Sequence, residues 1–151
     1  MDLKTYSNPD QLERFSFIWS MIRLIIAAVA LLLGGIPPVF FFIRAQSLFP
    51  VLQILLSVCW IISGLAAGYL AYRWFKNDKR LFGEKNLYDM IAFFVLIVSG
   101  INLGIAGLTR QNIGMSIFGS RFFFLIGAVI YLAAGVYILR RWRAHNQKLF
   151  S

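Results

Sequence analysis

The feature that most constrains this chain is a set of four apolar runs, each about twenty residues long, separated by short polar connections. At about 1.5 Å per residue, an α-helix of that length covers the roughly 30 Å hydrocarbon core of a bilayer. The runs are continuous rather than striped with polar residues, and 60% of the residues are hydrophobic whereas 14% are charged. This pattern predicts an all-α membrane protein, a bundle of four transmembrane helices.

The polar connections divide the chain into five segments. We expect an N-terminal lead over residues 1–16, a first transmembrane hairpin over 17–75, a basic loop over 76–86, a second transmembrane hairpin over 87–140 and a basic tail over 141–151. The first helix should run from about residue 17 to 42 and be kinked or ended at Pro37 and Pro38, because proline removes backbone donors. The fourth helix is expected over about residues 117–140.

The cations predict the orientation. Twelve of the fifteen Lys and Arg residues lie in or next to the lead, the middle loop and the tail, when Arg23, Arg73 and Arg140 are counted with these segments. This bias places both termini and the middle loop in the cytoplasm of a bacterial cell, with the helices in its inner membrane. The net charge of +9 therefore predicts contact with anionic lipid headgroups, and no nucleic-acid partner is expected. Arg23, inside the first run, is expected to snorkel to the headgroups as an anchor.

Glycines in the second and third runs predict close helix packing. Gly64 and Gly68 form a GxxxG pattern, and Gly100, Gly104 and Gly107 lie on one face of the third helix at 100° per residue. Small residues let a second backbone approach closely. These faces favour a homo-oligomer or contact with another membrane protein; the alternative is a monomer that folds around the third helix.

Polar residues within the runs are few. Asn102 points away from the glycine face of the third helix, and Ser99 lies one turn below it. Together with Arg121 at the opposite side of the membrane from the termini, they are candidates for a polar pathway.

The two hairpins look alike in sequence. The tetrapeptide at residues 65–68, Leu-Ala-Ala-Gly, is followed by Arg73, and the same tetrapeptide at residues 132–135 is followed by Arg140. Such a match suggests two tandem αα-hairpin repeats, which would insert with the same orientation.

The sequence offers no constellation for catalysis. Cys59 is the one cysteine and lies in an apolar run, so a disulfide, a thiol redox pair and a cysteine-based metal site are excluded. His145 lies in the basic tail, where we expect it to be solvated. No nucleophile with a base and no phosphate-binding loop is recognisable, so we expect no catalytic, cofactor-binding or metal-binding residue and no enzyme.

The second half carries a family resemblance. The pattern D-x-I-A, then G-I-N-x-G-x-x-G-L, then I-F-G, then Y-x-x-x-G resembles the YuzA-like family of small bacterial membrane proteins, over about residues 88–140. The matching residues are Asp89, Ile91, Ala92, Gly100, Ile101, Asn102, Gly104, Gly107, Leu108, Ile117, Phe118, Gly119, Tyr131 and Gly135. The resemblance implies a membrane hairpin, here duplicated at most, and brings no assigned activity.

Two function classes follow from these features. The first is a non-enzymatic integral membrane protein, an accessory or self-assembling subunit whose small-residue faces bind other helices. The alternative is a small channel or transporter for an anion, which would use Ser99 and Asn102 at depth and Arg121 outside them. An enzyme acting on lipid is the least supported class, because no acid-base or metal group has a visible partner.

Overall fold

The computed structural model describes residues 8–43, 46–117 and 119–150. Its helices are α1 (Pro9–Leu32), α2 (Val39–Phe42), a 3-10 turn (Gln46–Leu48), α3 (Phe49–Lys76), α4 (Leu87–Thr109), α5 (Ile113–Ile117) and α6 (Arg121–Ala144). The four long helices contain 24, 28, 23 and 24 residues, and each is long and apolar enough to cross a membrane. The expected all-α bundle of four membrane helices is confirmed, and the chain is a multi-pass membrane protein.

The helix ends follow local capping signals. Asn8 caps α1 by accepting a hydrogen bond from the backbone N–H of Asp10, and Pro9 occupies the first turn. For this reason α1 begins well before the expected start at residue 17. It also ends at Leu32 instead of reaching residue 42, because Gly34 and Gly35 have φ values of +82° and +87° and turn the chain before the prolines.

α6 is displaced towards the C-terminus from the expected 117–140. It begins at Arg121 and continues to Ala144, so that Arg141 and Arg143 lie in its last turn. Cations in the last turn complement the negative end of the helix dipole, which favours this extension. Part of the expected basic tail is therefore helix.

The bundle is assembled from two kinds of helix contact. α3 packs most extensively against α4, and α1 packs against α6; the contacts α1–α3 and α4–α6 hold each hairpin together. We call the end that holds residues 8–13, 77–86 and 145–150 the charged end, and the opposite end, with residues 33–43 and 110–120, the far end. Large apolar side chains such as Leu65, Val98 and Val129 remain exposed along the helices and contact lipid.

The burial pattern recurs between the two hairpins. The eight buried residues of α1 each correspond to a buried residue of α4 at one constant spacing, the 76 positions that separate Arg23 from Ser99. On α3 and α6, Ala67, Leu70 and Trp74 are buried like Gly135, Ile138 and Trp142. The spacing between these equivalent residues of α3 and α6 is one position longer than the spacing between the two Leu-Ala-Ala-Gly tetrapeptides in the sequence. Arg23 and Ser99 occupy equivalent positions and contact each other, so they lie where the two hairpins meet.

The C-terminal tail folds back onto the charged end. Leu149 and Phe150 are buried, and their backbone N–H groups donate to Oε1 of Glu13 at 3.0 and 3.3 Å. The N–H of Phe82 in the middle loop donates to the carbonyl of Leu149 at 2.7 Å. His145, expected to be solvated, stacks near Phe82 with ring centroids 4.9 Å apart. Tail and loop are thus part of the packed fold.

Candidate functional site

A cavity of about 890 Å³ lies between the helices from the middle of the bundle to the far end, and it is partly open to the surroundings, because lining residues such as Ile22, Ile26 and Ile130 are exposed. All four long helices contribute to its walls, and parts of the two far-end connections also line it. Its polar or charged lining residues include Trp19, Arg23, Cys59, Ser63, Ser99, Asn102, Arg110, Asn112 and Tyr131. Most of the remaining wall is aliphatic or aromatic, with Ile22, Ile26, Val29, Leu31, Leu56, Phe124 and Ile130 among its members.

Arg23 lies inside the bundle beside this cavity. It is only 6% exposed, and its guanidinium donates from NH1 to Oγ of Ser99 at 2.9 Å and from NH2 to the carbonyl of Leu96 at 2.8 Å. Its Nε has no hydrogen-bond partner among the described residues. The expected snorkelling anchor is therefore wrong. Because α1 begins at Pro9, Arg23 lies about 21 Å along the helix, too deep to reach the charged end.

Gly100 makes room for this guanidinium. A Cβ atom at Gly100 would lie 3.2 Å from NH2 of Arg23 and 2.6 Å from Cβ of Ala67. No ordinary contact between carbon atoms is as short as the second distance. The glycine therefore allows α1, α3 and α4 to approach at the height of Arg23.

The charge of Arg23 has no acidic partner in the part of the chain that the structure describes. The ion pairs there all lie at the charged end: Arg73 binds Glu13 at 2.8 Å, and Arg141 binds Asp89 at 2.8 Å, each with a second, more exposed carboxylate nearby. An unpaired charge inside a membrane bundle is expensive, because neither water nor an opposite charge stabilises it. Arg23 therefore differs from Arg73 and Arg141 in being a buried cation without an ion pair among the described residues.

A packed layer closes the cavity towards the charged end. Phe17, Leu70, Phe93 and Ile138 are at most 1% exposed and belong to one continuous core that also contains both buried tryptophans. Below this layer Asp89 is fully buried, and it accepts hydrogen bonds from the hydroxyl of Tyr137 and from Arg141. The cavity therefore does not continue through the bundle in this conformation.

The candidate polar pathway residues do not form one group. Ser99 and Asn102 line the cavity, whereas Arg121 is exposed at the start of α6 and is absent from the lining among the described residues. The amide of Asn102 donates to Oδ1 of Asn112 at 2.9 Å and accepts from the N–H of Gly114 at 3.2 Å. Asn102 thus fastens the far-end connection to α4.

The glycines predicted to pack helices take different places. A Cβ atom on Gly104 would lie 2.7 Å from Cα of Gly64, and one on Gly107 would lie 2.8 Å from the carbonyl oxygen of Ser57. Together with Gly100, these residues place α4 directly against α3. Gly68 has no atom within 4 Å of its own Cβ position among the described residues, and it is exposed. The glycine face of α4 is therefore covered within the chain.

A polar stripe on α1 could have indicated the inward position of Arg23. Glu13, Ser16, Ser20 and Arg23 follow one another at spacings of three and four residues, so they share one helix face. All four are buried in the structure. A lipid-facing surface would not carry four polar side chains in line, and the stripe therefore predicts a face that packs against protein.

Comparison of the chain with protein-family models, with curated proteins and with solved structures finds no match.

Proposed function

We propose that this integral membrane protein acts without catalysis, as a small carrier that binds an anionic group inside its bundle. Arg23 carries the proposal: it is a buried cation beside a large cavity, with no carboxylate within 4 Å among the described residues. Ionisable groups at membrane depth are rare because they are costly, and they mark ligand or ion pathways more often than structural positions. A bound anion would compensate the charge.

The guanidinium has the donors that such a ligand needs. An arginine offers five N–H donors, and two of those of Arg23 are engaged by Ser99 and Leu96. The planar group binds carboxylate or phosphate oxygens with paired hydrogen bonds, which are stronger than neutral ones. Three donors, one of them the buried Nε–H, are left without a partner among the described residues.

The packed layer between the cavity and the charged end favours a carrier over an open channel. Because a packed layer separates the cavity from the charged end, an anion could cross only if the helices rearranged. The recurring burial pattern of the two hairpins provides two similar bodies that could move relative to each other at the contact of Arg23 with Ser99.

Binding can be tested by the thermal stability of the protein in nanodiscs of zwitterionic lipid, titrated with chloride, acetate, benzoate and phosphate. A ligand of the native state raises the melting temperature according to its concentration relative to Kd. We expect stabilisation by at least one anion in the wild type, its loss in Arg23→Gln, and its retention in the control Arg121→Gln. Equal responses of wild type and Arg23→Gln to every anion would reject the proposal.

Transport is tested separately with the same variants in liposomes. Uptake of the stabilising anion should depend on Arg23 and should be weakened by Asn102→Leu, which loosens the far-end connection. A protein that binds the anion but supports no flux would be a binding or accessory subunit.

A second candidate function is that of an accessory or self-assembling subunit. The open position at Gly68, on an outer face of α3, favours it, because a second helix could approach closely there. Crosslinking in native membranes and sizing in mild detergent would show whether the protein is a homo-oligomer or binds another membrane protein. Gly68→Leu should abolish such a contact, and a monomer unaffected by the substitution would count against this function.

The setting we propose is a bacterial inner membrane with the charged end in the cytoplasm. The cation bias supports this orientation, and the exposed Lys76, Lys79, Arg80 and Lys85 at that end would attract anionic lipid headgroups. A reporter fused to the C-terminus should be active only as a cytoplasmic protein, and a periplasmic signal would reverse the orientation. We also propose, from the sequence resemblance alone, that the second half of the chain is related to the YuzA-like family.

A further inference from the structure

The cavity is too large and too apolar for a small inorganic anion alone. Its volume of about 890 Å³ lies in the range of roughly 300 to 1,000 Å³ that is typical of sites for small organic molecules. Apart from Trp19, Arg23 and Tyr131, the α1 and α6 walls are apolar, with Ile22, Ile26, Leu31, Phe124 and Ile130 among their members. An occupant that matched these walls would have an apolar body.

Arg23, the one buried cation among the described residues, sets the charge of the same occupant. Arg23 is 94% buried, lies at one side of the cavity and keeps an unpartnered Nε. Arg110, the other cation of the lining, is exposed at the far end. One anionic oxygen pair at Arg23 would neutralise the buried charge, whereas a second charge on the ligand would lie against aliphatic wall unless it reached Arg110 at the far end.

We infer that the ligand is an amphiphilic acid, with a carboxylate that binds Arg23 and a single apolar chain or ring body that fills the cavity towards the far end. The inference rests on the proposed anion binding and adds the class of ligand. The volume fits a single chain better than a two-chain phospholipid with its headgroup. Such acids dissolve in the surrounding lipid, and the exposed wall residues Ile22, Ile26 and Ile130 would let them enter from the hydrocarbon.

Photolabelling with a palmitic-acid analogue that carries a diazirine in its chain tests this inference. The protein is placed in phosphatidylcholine nanodiscs, labelled with this acid or with the corresponding fatty alcohol, and mapped by mass spectrometry. We expect the acid to label the cavity walls on α1 and α6 near Ile26 and Ile130, and unlabelled oleate to compete. The alcohol should give only weak labelling that oleate does not displace.

Matched variants identify the groups responsible. Arg23→Gln should weaken oleate competition at least tenfold, Arg23→Lys should retain part of the affinity, and the exposed control Arg121→Gln should leave it unchanged. Ala30→Phe fills the cavity wall and keeps Arg23. It should exclude oleate while leaving the response to benzoate intact, and it provides a test that does not depend on folding of the arginine variants.

The outcomes separate this inference from the function on which it rests. Equal labelling by acid and alcohol, or oleate competition that is insensitive to both Arg23→Gln and Ala30→Phe, overturns the amphiphilic ligand. If benzoate or phosphate then still stabilises the protein through Arg23, anion binding stands with a small soluble acid as its ligand. If no anion acts through Arg23, both proposals fall.

Discussion

Substitution of Gly104 by alanine should separate α3 from α4. The new Cβ atom would lie 2.7 Å from Cα and 3.3 Å from the backbone N of Gly64, whereas ordinary contacts begin at 3.4 Å. Both atoms are main chain in a long helix, so no side chain can rotate away. The helices must move apart by about 1 Å. A gap of that size removes about a quarter to a half of the van der Waals attraction of each neighbouring contact.

The size of the effect follows from two opposing contributions. Overfilling a packed contact destabilises by about 1 to 3 kcal/mol, and the better helix propensity of alanine returns up to about 1 kcal/mol. The separation also loosens the contacts of Gly100 with Ala67 and of Gly107 with Ser57 in the same interface. We therefore expect a net loss of about 2 kcal/mol for Gly104→Ala, and more for Gly104→Leu.

Unfolding in mixed micelles with increasing SDS, followed by circular dichroism, measures this loss. Gly68→Ala is the matched control, because no described atom lies within 4 Å of its Cβ position; it should be neutral or stabilising by less than about 1 kcal/mol. Gly64→Ala should resemble Gly104→Ala, and the double variant should lose less than the sum, since one separation accommodates both methyl groups. Wild-type stability of Gly104→Ala would refute the close contact.

Three further substitutions test the polar groups. Asp89→Asn should cost about 2 to 3 kcal/mol in the same assay, because it leaves Arg141 without its buried carboxylate, whereas the exposed Asp10→Asn should change stability by less than about 1 kcal/mol. Asn102→Leu should cost about 1 kcal/mol and accelerate amide hydrogen exchange over residues 112–117; unchanged exchange there would contradict its fastening role. Arg23→Met should raise the stability of the ligand-free protein, because it removes an unpaired buried charge, and a clear loss of stability would show that the charge is compensated.

The sequence alone determined the number of membrane helices and the class of the fold. The length of an apolar run can be counted in the sequence. Because the bilayer thickness sets the length that a spanning helix needs, this count is enough to recognise each membrane helix. The glycine contacts between α3 and α4 lie on faces that helical periodicity already marks, but only the structure shows that Gly64 meets Gly104 and that Gly68 remains open. Periodicity gives the face of a helix and not its partner.

The tertiary structure decided the environment of each polar group. The sequence places Arg23 in an apolar run, but whether it snorkels or turns inward depends on Ser99 and Leu96, more than seventy residues away. The sequence likewise predicts a basic, solvated tail. In the structure, Glu13 accepts hydrogen bonds from two backbone N–H groups of this tail and thereby holds it against the bundle. The reason is physical: within a membrane the hydrocarbon fixes where a helix lies, whereas the free energy of a charge or a hydrogen-bonding group depends on the atoms that neighbouring helices bring to it.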